Sequence, residues 1–240
     1  MRTAAFLVLA AVLVVAVSCT TPVQYQKTLQ VYAKAAYYNY RDKDGGDAKE
    51  TGAVFNAGIE WTVPTIYLRF TGEVFVGPGT RELGDADGAE ADVTYYGGFA
   101  DVDFIYPFVT MDAAGDTVTT VLTPYAGIGY RTDVHDIDDF DSTVTFAPSK
   151  TTYRNAYAHI GFEGRTRMSP TMWFVWDLAL GYQLTSDLKI RSATDDTIEL
   201  EPDLKPMVFA EVGLDWQTVF ATVFFDYMQW GTDNTDTYNQ

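Results

Sequence analysis

Residues 171–184 read TMWFVWDLALGYQL and alternate between two kinds of side chain. Large apolar groups occupy every second position from Met172 to Leu184. The positions between them and just beyond, from Trp173 to Thr185, carry a mixture of small, polar and acidic groups. Successive side chains of a strand point to opposite faces. One continuous apolar face over about 13 residues therefore matches a tilted transmembrane β-strand, which needs roughly 9 to 11 residues.

The same alternation recurs along most of the chain and predicts nine β-strands. They cover about residues 29–40, 53–63, 66–76, 95–106, 125–131, 155–165, 171–184, 208–216 and 219–227. Short and long connections alternate, as they do when one rim of a barrel carries turns and the other carries loops. The sequence therefore predicts an all-β fold, a transmembrane antiparallel up-and-down β-barrel of about 8 to 10 strands. Such barrels normally have an even number of strands, so with nine either the assignment of one strand is wrong, a terminal strand lies outside the wall, or a last strand is missing.

Proline and acidic residues mark the connections between the strands. Pro64 lacks the N–H that a ladder needs and predicts a tight turn. Four long loops, which hold most of the acidic clusters, are predicted at Arg41–Thr51, Gly77–Ala91, Thr132–Thr151 and Ser186–Lys205. Within the fourth loop, Lys189–Ser192 and Thr197–Glu201 alternate as strands do, which predicts a hairpin there.

The amino terminus has the organisation of a secretory signal. Arg2 precedes an unbroken apolar run over residues 4–17, which is too short for a stable membrane span. The stretch Ala16–Cys19 resembles a bacterial lipobox, and the resemblance implies that Cys19 carries a lipid that adds membrane affinity. Plain secretion, which would leave a free thiol at Cys19, is the alternative.

Composition limits the classes of partner and the domain organisation. The chain has 240 residues, 33 acidic residues against 16 Lys and Arg, and a formal net charge of -17, so nucleic acid is excluded as a partner. A single cysteine cannot form an intrachain disulfide, so strand pairing must hold the fold. The predicted organisation is a signal peptide at 1–18, an N-terminal tether at 19–27, the β-barrel at 28–230 and a polar tail at 231–240.

Aromatic side chains on the apolar faces fall into two predicted rings. Toward the long-loop rim lie Tyr37, Tyr96, Tyr130, Tyr182 and Tyr227, and toward the turn rim lie Trp61, Tyr106 and Trp216. Tyr and Trp combine an apolar body with a polar tip and are enriched where a membrane meets water. The two rings predict an apolar band between them that contacts outer-membrane lipid.

Charged and polar side chains of the opposite face predict a polar lumen. Its members are Lys34, Glu60, Arg69, Glu73, Asp101, Asp103, His159, Glu163, Arg165, Asp177, Glu211, Asp215 and Asp226, nine carboxylates against three fixed cations. Side chains fill the interior of a small barrel, which favours an ion-paired core with trapped water. A narrow path that prefers cations is the alternative, because unpaired carboxylates stabilise cations. Arg69 and Glu73, in phase on one strand, predict a structural ion pair.

A short glycine-containing stretch points to a family. Pro124–Tyr130 reads PYAGIGY and resembles the Pro-Tyr-x-Gly-x-Gly stretch of small, porin-like outer-membrane β-barrel domains. Glycines at inward positions let a strand clear bulky neighbours. The resemblance implies a bacterial outer-membrane location and insertion by the barrel-assembly machinery.

Two further patterns bear on enzymatic activity and metal binding. Asp85-Ala86-Asp87 together with Asp133-Val134-His135 resembles the paired motifs of omptin proteases, in which carboxylate and histidine pairs activate a water. Here the second motif lies in the third loop rather than the fourth. The acidic cluster from Asp136 to Asp141 lacks the glycine-punctuated spacing of a calcium loop, so a solvated loop is the favoured interpretation. No metal or cofactor is predicted.

The function predicted from these patterns is non-enzymatic. The barrel would serve as a structural or surface-binding protein whose acidic loops meet cations, cell-surface sugars or proteins. The alternatives are a narrow cation-preferring passive channel and an outer-membrane hydrolase of the omptin type. A soluble lipocalin-like lipoprotein would need charged outward strand faces, which the sequence lacks.

Overall fold

The computed structural model describes residues 28–41, 49–82, 90–111, 118–138, 148–192, 197–216 and 219–228. The described strands are β1 (Thr28–Arg41), β2 (Lys49–Val63), β3 (Leu68–Glu82), β4 (Glu90–Ile105), β5 (Phe108–Met111), β6 (Val118–Ile137), β7 (Pro148–Ser169), β8 (Met172–Ser192), β9 (Thr197–Leu200), β10 (Pro206–Trp216) and β11 (Val219–Met228). Within these residues, no helix has the length and apolar character that a membrane crossing requires.

The strands form one antiparallel sheet that follows the order of the chain. Its hydrogen-bonded order is β1-β2-β3-β4-β6-β7-β8-β10-β11, while β5 pairs with β6 and β9 pairs with β8. The nine strands of the main path are the nine that the alternation predicts. The expectation of an all-β, antiparallel, up-and-down architecture is therefore confirmed.

The sheet curls strongly, although its hydrogen bonds do not close it. In the described part of the chain, β1 and β11 end the path and do not pair with each other. Side chains of distant strands nevertheless meet on one face. Lys34 of β1 lies 3.5 Å from Glu211 of β10, and Arg69 of β3 lies 2.8 Å from Glu163 of β7. These contacts define an inner face, whereas the closed ring remains an expectation.

The two faces of the sheet have opposite chemistry. Large apolar groups lie exposed on the outer face, with exposed fractions of 76% for Val31, 65% for Val74, 62% for Ile128 and 58% for Leu180. On the inner face Asp103 is only 2% exposed, and polar groups such as Arg69 and Glu73 are also buried. This is the reverse of a protein that buries its apolar face against a core. The alternation of the sequence predicts this division.

A β-bulge in β8 corrects the predicted face of Thr185. Tyr157 pairs with Gln183 and the preceding Ala156 pairs with Thr185, so Leu184 is the extra residue. Leu184 and Thr185 are both exposed, and from Ser186 onward the inward positions are the even-numbered ones. An extra residue changes the phase of a period-two strand. Thr185 therefore faces outward instead of inward.

Several strands continue into segments predicted as loops. β2 begins at Lys49, β3 ends at Glu82, β6 reaches Ile137 and β7 begins at Pro148. The predicted loops Gly77–Ala91 and Thr132–Thr151 are therefore much shorter, as are the first and the fourth. Charged residues of these segments form pairs on both faces of the strands, such as Glu50 with Arg81 inside and Lys189 with Glu199 outside. Charge was therefore a poor guide to where each strand ends.

The predicted turn at Pro64 is confirmed, with one change at its end. Pro64–Ile66 forms a short 3-10 turn, and Tyr67 follows with a positive φ of 55°. Ile66 and Tyr67 thus belong to the turn, not to strand β3. The Tyr67 ring packs 5.5 Å from that of Tyr106 and 6.1 Å from that of Phe104 on the outer face, away from its predicted inward position.

The predicted hairpin in the fourth long connection is confirmed. β8 runs on to Ser192 and pairs with β9, with Lys189 opposite Glu199 and Ile190 opposite Ile198. The other short strand, β5, pairs with the beginning of β6 and was not predicted. Its four residues are too few for alternation to reveal.

Candidate functional site

Arg69 lies at the centre of a polar network on the inner face. Its side chain, in β3, donates through Nε to Asp103 of β4 at 2.9 Å and through a terminal nitrogen to Glu163 of β7 at 2.8 Å. The guanidinium also lies 4.6 Å from the ring centroid of Tyr125. Arg69 is 7% exposed. A planar guanidinium with several donors can hold two carboxylates at once.

The predicted pair between Arg69 and Glu73 is wrong. Glu73 lies 3.5 Å from Lys34 of β1 and accepts a hydrogen bond from Asn56 of β2. Lys34 also lies 3.5 Å from Glu211 of β10. Both acidic partners of Arg69 lie on other strands. Asp103 is its directly paired neighbour on β4, and the curl of the sheet brings Glu163 of β7 to it from across the inner face.

Tyrosine and histidine side chains contact three of the inner carboxylates. Tyr125 donates its hydroxyl to Asp177 at 2.7 Å, and Tyr157 donates to Asp101 at 2.6 Å. His159 Nε2 lies 2.7 Å from the second oxygen of the Asp103 carboxylate. The tyrosine hydroxyls give partners to Asp101 and Asp177, whereas Asp103 holds both Arg69 and His159. Buried polar groups need such partners.

The other predicted members of the polar lumen are Glu60, Arg165, Asp215 and Asp226. Arg165 of β7 contacts the Asp215 carboxylate of β10, and its guanidinium lies 5.7 Å from the Trp173 ring. Glu60 is half-buried in β2, in register with Gln30 and Thr71. Asp226 belongs to β11, but its side chain falls outside the described residues.

Tyrosine rings lie against glycines across the inner face. A Cβ on Gly161 would meet the Tyr125 ring, and one on Gly129 would meet the ring of Tyr157. The glycine at position 58 faces Tyr32 in the same way. Each glycine leaves room for a ring on a neighbouring strand. The inner space near these residues is therefore occupied by side chains, as expected for a small barrel.

A second polar cluster lies nearer the long-loop rim and was missed by sequence reasoning. Glu50 of β2 lies 2.8 Å from Arg81 of β3 and 2.8 Å from His135 Nδ1 of β6. Glu50 is 0% and His135 1% exposed. The Tyr95 and Tyr153 rings pack beside the histidine, with centroids 5.0 and 5.1 Å away. The period-two pattern from Asn56 back to Glu50 was the signal available in the sequence.

The electrostatic setting of Glu50 favours its charged form. Glu50 lies on the long-loop side of the predicted aromatic ring, three residues beyond Ala53, which pairs with Tyr37 of that ring. Burial alone would raise its pKa, but the hydrogen bond and charge of His135 and the charge of Arg81 outweigh it and lower the pKa below its ordinary value.

The residues that resemble the omptin motifs are not brought together in the described structure. Asp85 and Asp87 fall outside the described residues. His135 lies on β6 rather than in a loop, and its carboxylate partner is Glu50. Asp133 instead pairs with Arg131 at 3.0 Å. The His135 side chain is thus buried against Glu50, Tyr95 and Tyr153 on the inner face.

The predicted aromatic rings can be followed at most of their positions. Exposed on the outer face are Tyr37, Trp61, Tyr130 and Tyr182, and partly buried are Tyr96 and Tyr106. The side chains of Trp216 and Tyr227 fall outside the described residues, although their backbones pair within β10 and β11. Trp61 stacks on Phe70 at 5.6 Å.

Other predicted positions have no described counterpart. Cys19 and the predicted signal peptide precede the described residues, and Asp139 and Asp141 lie in a connection outside them. Among the residues that the structure covers, no group of three or more His, Cys, Asp or Glu side chains could hold a metal ion. Comparison with known proteins brings no family to this chain: no family model, curated protein or solved structure matches it.

Proposed function

We propose that the protein is a non-enzymatic β-barrel of the bacterial outer membrane, with a closed wall and acidic loops that meet ions or surface ligands. The observation that carries the proposal is the exposed apolar outer face. Leu178, Leu180 and Leu184 of β8 are 50, 58 and 52% exposed, and Val74 and Ile128 repeat this on other strands. Soluble monomers rarely expose contiguous apolar patches of more than a few hundred Å².

The inner network supports the same proposal. Hydrocarbon cannot hydrogen-bond to polar groups, so a membrane barrel must satisfy them inside. Arg69, Asp103 and Glu163 form such an interior, and the tyrosine hydroxyls extend it to Asp101 and Asp177. A non-enzymatic role agrees with the contacts of both inner histidines with carboxylates, His135 with Glu50 and His159 with Asp103. In this proposal the barrel wall is structural, and any ligand binds at the long-loop rim.

A cation-preferring channel is the second candidate. One observation favours it: the described inner network contains eight of the predicted carboxylates, Glu60, Glu73, Asp101, Asp103, Glu163, Asp177, Glu211 and Asp215, against the fixed cations Lys34, Arg69 and Arg165. Such an excess would select cations if water passed through. The rings of Tyr125 and Tyr157 oppose this function, because they occupy the inner space.

Insertion of matched variants into lipid tests the proposal. Leu178→Lys places a charge on the outer face of β8, and Leu204→Lys places the same charge on an exposed connection after β9. Lysine near the midplane of a bilayer costs about 2 to 4 kcal/mol. After refolding into phosphatidylcholine vesicles, we expect the protein to float with the vesicles. Of the two variants, only L178K should be less stable than the wild type.

Either of two results would count against the membrane location. One is that the wild-type protein stays in the aqueous phase when vesicles float. The other is that L178K and L204K unfold at the same urea concentration in lipid, since a water-exposed Leu178 would tolerate lysine as well as Leu204 does.

A further inference from the structure

Four basic residues gather on the outer face of β7 and β8, in a chain with an overall charge of -17. We call Lys150, Arg154, Lys189 and Arg191 the basic patch. Lys150 pairs with Arg191 across the two strands, and Lys189 pairs with Thr152, between Lys150 and Arg154. All four positions therefore share one face, and they represent four of the 16 Lys and Arg residues of the chain.

The basic patch lies immediately beyond the loop-rim aromatic ring. Arg154 is two residues past Ala156, which pairs with Tyr130 of that ring. Lys150 Nζ donates to the hydroxyl of Tyr96, another ring member, at 2.6 Å, and lies 5.3 Å from its centroid. The basic patch and the apolar face thus meet at one boundary, where Tyr182 and Leu184 are 52% exposed.

Acidic neighbours hold two members of the basic patch, Arg154 and Lys189, loosely, while Asp136 of β6 lies opposite Lys150. Arg154 lies 3.9 Å from Asp187, with both side chains 50% exposed. Lys189 lies 3.0 Å from Glu199, with the side chains 44 and 68% exposed. Exposed ion pairs of this kind contribute little, at most about 1 kcal/mol. An incoming phosphate can therefore compete for these cations at small cost.

We propose that the basic patch binds the phosphate groups of a lipid in the leaflet on the long-loop side, with the acyl chains on the apolar face below. Arg and Lys suit phosphate through charge and multiple donors. A lipid matches both halves of the boundary, the cations above and the exposed Tyr182 and Leu184 below. The inference rests on the proposed membrane location and adds the chemistry of a lipid headgroup to it.

A charge-matched pair of variants tests the basic patch. R154Q/K189Q removes two of its cations, whereas K49Q/K205Q removes two cations from other strands or connections on the same rim. The probe is fluorescent diphosphoryl lipid A, titrated into refolded protein in uncharged detergent and followed by anisotropy. Because each cation near an anionic surface contributes about 1 kcal/mol, the loss of two predicts about 30-fold weaker binding for R154Q/K189Q. K49Q/K205Q should bind as the wild type does.

Three results would overturn the inference. If the wild type binds the probe and R154Q/K189Q binds it as tightly as K49Q/K205Q does, the basic patch is excluded as the site. If inorganic phosphate at the same concentration as the lipid displaces the probe, the site is one for free phosphate. Equal binding of phosphatidylcholine removes the need for an anionic headgroup. Flotation of the same preparations with vesicles separates these results from failure of the membrane location, which would remove both proposals.

Discussion

Arg69 joins three strands through two carboxylates, so its replacement should cost far more than that of an exposed arginine. In R69M, Asp103 and Glu163 would lose their shared cation, and Asp103 would remain buried. Removing one partner of a buried ion pair typically costs about 3 to 5 kcal/mol. We expect urea unfolding in lipid vesicles to show a loss of about 3 kcal/mol for R69M.

R154M is the matched control for this substitution. Arg154 lies 3.9 Å from Asp187 at an exposed position, where an ion pair contributes at most about 1 kcal/mol. Equal unfolding midpoints for R69M and R154M would contradict the central place given to Arg69 in the inner network.

Glu50 should make stability depend on pH. Its pKa is lowered in the folded protein, so the folded state favours the carboxylate more than the unfolded state does. This stabilisation is complete above the ordinary pKa of a glutamate and is lost as the pH falls through the lowered value. We expect E50Q to be less stable than the wild type at pH 7 and the difference to shrink in acid.

Unfolding at a series of pH values measures this dependence, with E199Q as the control. Glu199 is exposed and pairs only with Lys189 in the described hairpin, so its loss should change stability little at any pH. A stability difference between E50Q and the wild type that stays constant from neutral to acidic pH would rule out the carboxylate as its source.

Sequence reasoning reached the inward position of the polar residues but not their partners. Arg69 and Glu163 are 94 residues apart in sequence, and only the curl of the sheet brings them together. Alternation reports the face of each side chain, whereas the contact between two walls depends on sheet curvature. That is why the predicted pairing of Arg69 with Glu73 was wrong.

At the scale of the strand, the bulge in β8 should tolerate the deletion of one residue, whereas regularly paired positions should not. Removing Leu184 leaves Gln183 inward, Thr185 outward and Ser186 inward, so regular alternation replaces the bulge without moving a side chain to the other face. We expect the Leu184 deletion to fold and to float with vesicles. Its cost should be limited to local changes in twist.

Deletion of Leu180 is the matched control. Leu180 pairs regularly with Ile160 and with Val208, so its loss would shift one part of β8 by a residue and reverse the faces of that part. A one-residue slip moves an apolar set to the polar side. The bulge assignment fails if both deletions fold equally well or if only the Leu180 deletion folds.

The bodies of the strands were predictable, whereas their ends were not. Alternation of large apolar and polar groups marks the main strands because it repeats over many residues. The bulge at Leu184 interrupts the pattern by one residue, which a sequence does not distinguish from a loop. Glu50 and His135 were assigned to loops because charge and histidine resemble loop composition, although both are buried.

For the whole molecule, the packed interior predicts that ions do not pass. Tyr125 and Tyr157 lie against Gly161 and Gly129, and their hydroxyls bond to carboxylates on other strands. We expect wild-type protein in planar bilayers to show no stable conductance. Y125A/Y157A removes both rings and should allow cation-selective current, because carboxylates would then line the path.

A stable, cation-selective conductance of the wild-type protein would support the channel and contradict the packed interior. The exposed pair Y37A/Y130A, which removes two rings from the outer face, controls for a general loss of tyrosines. It should remain as silent as the wild type.

The central claim is that the exposed apolar face lies against hydrocarbon. Its most direct test is spin-label accessibility in vesicles, with Cys19 replaced by serine and a nitroxide placed at Leu178→Cys or, for reference, at Lys49→Cys. We predict that the label at Leu178 collides more with dissolved oxygen than with a water-soluble nickel complex and that the label at Lys49 does the reverse. Equal nickel accessibility at the two positions would contradict the account.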